Sequence, residues 1–234
     1  MTAEPPHSMV FCSMYNDEKS ICGGAKGKRI GVYGGTFSPP HKGHVAAARE
    51  LLAREYVDFL YIIPAATPPH KTLSQDDDPR HRLRMAQLAF AEVTAGGNAV
   101  VSDIELMRQG PSYTSDTLRI IAEQNPGAEL SLLVGTDMFL TLDRWHEADV
   151  IFKLARIVCV RREDDIDVKK ALDDATRRYR ECFGADVVML NITPTVISST
   201  EIRAAISRGI DESDILGRDV YDYIMEHGLY GAKK

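Results

Sequence analysis

The chain has 234 residues, 44% hydrophobic and 26% charged, a balance ordinary for a globular protein and long enough to bury a sizeable core. Its formal net charge of −6 argues against a broad polyanion-binding surface, so no nucleic-acid partner is expected, and no run approaches the ~18 apolar residues of a membrane span. Cys12, Cys22, Cys159 and Cys182 follow neither Cys-x-x-Cys nor zinc-ligand spacing, and residues 1–28 contain no apolar signal core, so reduced thiols in a cytoplasmic protein are expected.

Residues 1–28 are expected as an N-terminal extension ending in Gly23-Gly24-Ala25-Lys26-Gly27-Lys28, a flexible approach to the first strand. Residues 29–234 read as a single domain, because nothing repeats at a fixed period and no linker splits the body. Residues 29–33 are short, apolar and β-branched and predict a strand, and residues 45–54 carry helix formers with apolar positions at helical spacing. Residues 57–63 predict a buried second strand closed by Pro64, which implies a right-handed parallel crossover between the two. Asp76, Asp77 and Asp78 before Pro79 suit a helix entry. The helix then runs over residues 80–93 with Leu83, Leu88 and Phe90, and with Arg82 and Arg84 solvated on its outer face.

Residues 99–101, followed by 103–106, predict a third short strand, and Thr114 or Ser115 is placed to cap the helix through Glu123. Residues 129–134 form the clearest buried strand, ending at Gly135, Thr136 and Asp137. Residues 155–160 and 187–190 predict two more strands, with a charged amphipathic helix over 165–183 between them. The order predicts an α/β fold: a doubly wound, mainly parallel Rossmann-like sheet with helices on both faces.

The junction between the first strand and its helix reads Gly34-Gly35-Thr36-Phe37-Ser38-Pro39-Pro40-His41-Lys42-Gly43-His44. Two glycines let backbone approach a ligand closely, and two prolines hold the loop extended until the helix starts. His41 and His44, three apart, place both imidazoles on one face of a helix N-terminus, where unpaired N–H groups and the positive dipole end favour an anion. Together these features describe a phosphate site. Ile197-Ser198-Ser199-Thr200-Glu201-Ile202-Arg203 opens a later helix, with Ser198 and Glu201 spaced as a capping box. Arg203 is expected in the first turn, adding a guanidinium fork to hydroxyls and N–H donors as a second anion site. Asp137 follows a strand's carboxyl end, where open α/β sheets bind ligands.

The first stretch resembles the His-x-Gly-His signature of the nucleotidyltransferase α/β-phosphodiesterase superfamily, and the fuller Gly-Gly-Thr-Phe-x-Pro-Pro-His-x-Gly-His is similar to its bacterial nicotinate-nucleotide adenylyltransferase branch. Ile-Ser-Ser-Thr-x-Ile-Arg resembles the superfamily's second signature. Pro68-Pro69-His70-Lys71, Ser112-Tyr113-Thr114-x-Asp116-Thr117-Leu118, and Gly135-x-Asp137-Met138 ahead of Trp145 resemble further segments of the branch, so the likeness spans residues 28–230.

The resemblance implies transfer of the adenylyl group of ATP to nicotinate mononucleotide, giving nicotinate adenine dinucleotide and pyrophosphate in NAD biosynthesis. It implies His41, His44 and Arg203 as catalytic, and Gly34, Gly35, Thr36, Phe37, Ser38, Gly43, Gly135, Asp137, Ser198, Ser199 and Thr200 as ATP-binding. It assigns Lys71, Tyr113, Thr114, Asp116 and Trp145 to nicotinate mononucleotide. Trp145, the only tryptophan, has core packing as its ordinary fate, while its polar neighbours favour stacking on the pyridine ring. Mg²⁺ is expected on the ATP phosphates, with no metal site built by the protein itself. Ser38 departs from the Asp or Asn usual before the first proline, keeping a hydrogen-bonding oxygen but losing charge or reach. Two alternatives remain open: an adenylyltransferase preferring nicotinamide mononucleotide, and a non-catalytic nucleotide-binding protein on the same fold. The sequence is compatible with a homo-oligomer and does not specify one.

Overall fold

Residues along the central strands alternate between two apolar layers, which makes a sheet stable only when helices cover both faces. The computed structural model describes residues 27–69, 77–161, 166–191 and 198–232. Its strands are β1 (Arg29–Gly35), β2 (Phe59–Pro64), β3 (Ala99–Val101), β4 (Glu129–Gly135), β5 (Ala155–Arg161) and β6 (Val187–Asn191). They form one sheet in the order β3-β2-β1-β4-β5-β6, and every adjacent pair is parallel. The chain therefore winds outward from β1 to β3, returns to place β4 beside β1, and winds the other way. The β1/β4 boundary is the switch point, and the expected doubly wound α/β fold is what the chain adopts.

On one face, Ile30, Val32, Phe59, Tyr61, Leu130, Leu132, Ile157 and Cys159 pack with residues of α4 (Thr114–Gln124), α6 (Ala148–Leu154) and α7 (Ile166–Phe183). On the other, Tyr33, Leu60, Ile62, Leu133, Val158 and Val160 pack with α1 (Lys42–Ala53), α2 (Pro79–Ala89) and α3 (Ala91–Thr94). The short helix α5 (Thr136–Phe139) follows β4 directly. A third apolar cluster joins Met85 of α2 to α8 (Ser199–Ser207), α9 (Ser213–Leu216) and α10 (Arg218–His227) through Ile202, Ile206, Leu216, Val220 and Ile224. That cluster holds the second anion motif against the first half of the chain.

Several local expectations are corrected. The third strand stops at Val101. Beyond it Ser102 Oγ accepts the Ile104 amide at 3.4 Å, and Asp103 O accepts the amides of Leu106 (2.8 Å) and Met107 (3.1 Å), so residues 103–107 turn rather than extend. The helix expected over 80–93 is broken at Phe90. Its entry is as expected, with the Asp78 carboxylate accepting the Arg80 amide. Its faces are not: Arg82, Met85 and Ala86 are the buried residues, so Arg82 points inward, while Arg84 is exposed. Neither Thr114 nor Ser115 caps α4, because the N-cap is Tyr113, which makes no side-chain capping bond. Ser198 is the N-cap of α8, yet its side chain makes no capping hydrogen bond, and Arg203 lies in the second turn rather than the first.

Gly31 faces α1 from the middle of β1. A β-carbon there would lie 2.8 Å from Leu60 Cδ1 and 3.2 Å from both Leu51 Cδ2 and Val57 Cγ1. A side chain here would crowd the ends of three packed side chains between α1 and the sheet. We expect Gly31→Ala to cost about 1–3 kcal/mol through overpacking and Gly31→Val more, read from the urea midpoint at unchanged m-value.

Candidate active site

Because all strands are parallel, their carboxyl ends gather on one edge of the sheet, and the loops after β1 and β4 flank the switch point. The β1 loop delivers the two histidines. His41 is the N-cap of α1, and its amide donates to His44 Nδ1 at 3.2 Å. With Nδ1 accepting, a neutral His44 ring carries its proton on Nε2, which becomes a donor. The two rings lie 3.7 Å apart, centre to centre, with an interplanar angle of 33°. His41 is buried and His44 half-buried, and Phe37 meets the His44 ring edge-on at 5.1 Å.

Phe37 was expected at ATP, but its side chain belongs to the core. It is buried among Tyr33, Phe90 and His44, and it takes a left-handed backbone angle (φ 49°) to get there. Gly35 makes this possible, since a β-carbon on Gly35 would sit 2.8 Å from the Phe37 ring. Gly34 has nothing within 4 Å of where its β-carbon would be, so it is the glycine that offers open backbone to a ligand. Gly43 is buried in the first turn of α1.

Ser38 is also turned inward. Its hydroxyl donates to Asp77 Oδ2 at 2.7 Å and lies 3.3 Å from Tyr230 Oη. The second motif meets the same loop: Ser199 Oγ donates to Pro39 O at 3.0 Å, and Arg203 Nη1 donates to Ser38 O at 2.7 Å. Arg203 Nη2 also reaches Thr200 Oγ1 at 3.2 Å. The two motifs read separately in the sequence are thus one cluster, although only backbone of Ser38 faces Arg203.

Beneath this cluster lies Arg82, with no exposed side-chain surface. It donates to Thr36 O at 3.1 Å, to Ala66 O at 3.0 Å and to Ala65 O, and its Nε pairs with Asp77 Oδ1 at 3.0 Å. Burial pulls its guanidinium below the ordinary arginine range, opposed chiefly by the Asp77 charge. Burial likewise raises the Tyr230 phenol. Neither Arg82 nor Asp77 was among the expected site residues. One signal was available: Arg82 stands three and four positions before the buried Met85 and Ala86, on the same helical stripe.

The remaining expected residues line the loops on either side. Gly135 and Asp137 follow β4, with Asp137 exposed in the first turn of α5. Tyr113 stacks on His146, rings 4.0 Å apart and 27° from parallel, which joins the start of α4 to the segment holding Trp145. Thr114 is half-buried in that first turn. Asp116 pairs with Arg119 at 3.2 Å, and Arg119 pairs with Glu147 at 2.6 Å, bridging the same two segments. Trp145 is half-buried against the core, so it is neither wholly core nor wholly surface. Lys71 lies outside the described residues. Among the described residues no group of three or more His, Cys, Asp and Glu could hold a metal, and no helix is long and apolar enough to cross a membrane. Cys159, pushed up to about 12 by burial, is no thiolate nucleophile.

The cytidylyltransferase-like family profile matches residues 32–205, from β1 into α8. Curated relatives narrow it further. The chain is 37% identical over 206 residues to a Gloeobacter violaceus protein named "Probable nicotinate-nucleotide adenylyltransferase", covering 87% of this chain and 97% of that one. It is 38% identical over 203 residues to an Albidiferax ferrireducens protein of the same name, covering 87% and 98%. The chain belongs to the nicotinate-nucleotide adenylyltransferases of the cytidylyltransferase-like family. The fold agrees with a solved Plasmodium falciparum nicotinic acid mononucleotide adenylyltransferase complexed with NaAD, at a TM-score of 0.70 and 19% identity, covering 88% of this chain and 98% of that one.

Removing Arg82 leaves Asp77 buried without its charge partner and strips the donors from three buried-side carbonyls. We expect Arg82→Ala to lose about 3–5 kcal/mol of unfolding free energy. Arg82→Lys should recover little, because an ammonium cannot reproduce the planar fork. Urea melts of both variants against wild type check this.

Proposed function

We propose that this protein transfers the adenylyl group of ATP to nicotinate mononucleotide, releasing pyrophosphate and forming nicotinate adenine dinucleotide. The observation that carries the reading is the close, tilted His41–His44 pair at the N-terminus of α1, at the switch point, with Arg203 of the second motif bonded onto the same loop. The attacking group is the mononucleotide's own phosphate, ionised near neutral pH, so no activating base is required. What the protein supplies is alignment of two anions and compensation of charge on the α-phosphate and the departing pyrophosphate.

His44, whose neutral ring carries its proton on Nε2, donates to the α-phosphate oxygens as charge builds there, and His41 supports it on the same phosphate run. The positive dipole end of α1 and the open backbone at Gly34 complete that cradle. Ser199, Thr200 and Arg203 take the β- and γ-phosphates. The imidazoles, hydroxyls and guanidinium suit phosphate oxygens rather than a hard cation. Mg²⁺ would therefore be carried on the ATP phosphates, where it neutralises charge on the leaving pyrophosphate. Tyr113, Thr114, Asp116 and Trp145 form the mononucleotide side, and the sequence resemblance assigns Lys71 to the same ligand. Residues 29–234 act as one catalytic unit in the cytoplasm.

Pyrophosphate release with ATP and Mg²⁺ should be much faster with nicotinate mononucleotide than with nicotinamide mononucleotide at equal concentration. A preference for the amide would move the assignment to that acceptor, and silence with both would favour a non-catalytic nucleotide-binding protein. His44→Ala should lower kcat by ~100-fold or more with nucleotide binding largely retained, since charge stabilisation is felt most in the transition state. Near-wild-type turnover in that variant would remove His44 from the mechanism.

A further inference from the structure

Glu105 is a buried carboxylate that the phosphate chemistry does not use. It sits 7% exposed in the turn after β3. Thr117 Oγ1, in the first turn of α4, donates to Glu105 Oε1 at 2.7 Å. Arg108, from the same turn as Glu105, donates to Thr117 Oγ1 at 3.1 Å and to Tyr113 O at 3.5 Å. The α4 start that carries Tyr113, Thr114 and Asp116 is thereby pinned from below.

One residue earlier, Ser112 ties this start to the loop after β2. Its amide donates to Thr67 O at 2.9 Å, and its hydroxyl oxygen accepts the amides of Ala66 (2.9 Å) and Thr67 (3.1 Å). Burial raises the Glu105 carboxyl above its ordinary value, and Thr117, Ser112, Arg108 and the Ala66 amide pull it back, in that order. The carboxylate thus stands where the two loops meet.

A buried acid is a poor choice for stability alone. Desolvation costs more than a modest set of neutral hydrogen bonds returns, and a well-packed apolar residue usually does as well or better. Its value lies in direction, because a carboxylate fixes the donors around it in place.

We propose that Glu105 is a positioning residue that sets the 65–67 loop and the 112–117 segment relative to each other and so shapes the acceptor-mononucleotide side of the site. This rests on the adenylyl-transfer reading for its kinetic consequence, and for the brace on the Glu105–Thr117 bond together with the Ser112 bonds that tie the 65–67 loop to the same segment. Glu105 touches no substrate and acts through Thr117 and Ser112.

The test compares Glu105→Ala, Glu105→Gln and Thr117→Val with wild type in two measurements. Steady-state kinetics should show the acceptor KM raised on the order of tenfold in Glu105→Ala and Thr117→Val, with the ATP KM within about twofold of wild type. Glu105→Gln, which keeps an acceptor for Thr117, should restore most of the loss. Hydrogen–deuterium exchange should speed up together in peptides covering 65–69 and 112–118, with β1 and β4 unchanged. Equal rises in both KM values, no rise in either, or faster exchange confined to 103–108 would overturn the proposal. Exchange needs no turnover, so a wild-type enzyme silent with both mononucleotides would count against the adenylyl-transfer reading while the brace is still judged. If Glu105→Ala does not fold, Thr117→Val and Glu105→Gln decide the same question.

Discussion

A guanidinium with no exposed surface sits under the carboxyl ends of β1 and β2, and the candidate site is assembled on it. Arg82 bonds the carbonyls of Thr36, Ala65 and Ala66 and pairs with Asp77. Loops at strand ends have backbone groups that neither the sheet nor a helix satisfies, and burying them without partners is costly. One planar fork answers three such carbonyls at once and brings a carboxylate that in turn accepts from Ser38. Arginine is the one side chain with enough donors in a rigid enough plane to do this.

From that centre the hydrogen bonds run outward in two directions. Through Ser38 and its carbonyl they reach Arg203, and Ser199 bonds the next carbonyl, that of Pro39, which binds the second motif to the loop that presents His41 and His44. Through Ala66 and Thr67 they reach Ser112 and the start of α4, where Tyr113, stacked on His146, opens the side assigned to the mononucleotide. The cluster built from the two motifs at either end of the chain is therefore mechanically continuous with the 112–117 segment from its middle. An in-line transfer between two bound anions gains from such continuity, since errors in either half misplace the attacking oxygen.

Much of this was legible in the sequence, for identifiable reasons. Strands such as 59–63 are contiguous apolar runs, and the His41–His44 junction packs its chemistry into eleven consecutive residues, so local pattern suffices. The illegible parts are charged or hydroxylated residues whose partners are backbone groups far away. Arg82 looked like a solvated helix position because its partners, the Thr36, Ala65 and Ala66 carbonyls, leave no trace in composition. Ser38 looked like a weakened substrate contact, yet its hydroxyl faces Asp77 and Tyr230 instead. Ser198 and Glu201 show the converse failure: spacing alone suggested a capping box, and the Ser198 side chain makes no capping hydrogen bond. Phe37 was read by its place in the motif, while its aromatic bulk sent it to the core.

The bond between Ser38 and Tyr230 spans 192 positions, and that between Arg203 and Ser38 spans 165. Such separations make contacts slow to form, because the intervening chain must be ordered first. On the ribosome the histidine loop emerges early, together with β1 and α1, and has none of these partners at hand. A half-made chain can pair β1 with β2 while its histidine loop lacks the bonds from Arg203 and Ser199. The cluster that joins the two motifs can therefore close only once residues 199–230 have been made, well after the sheet's first strands have met.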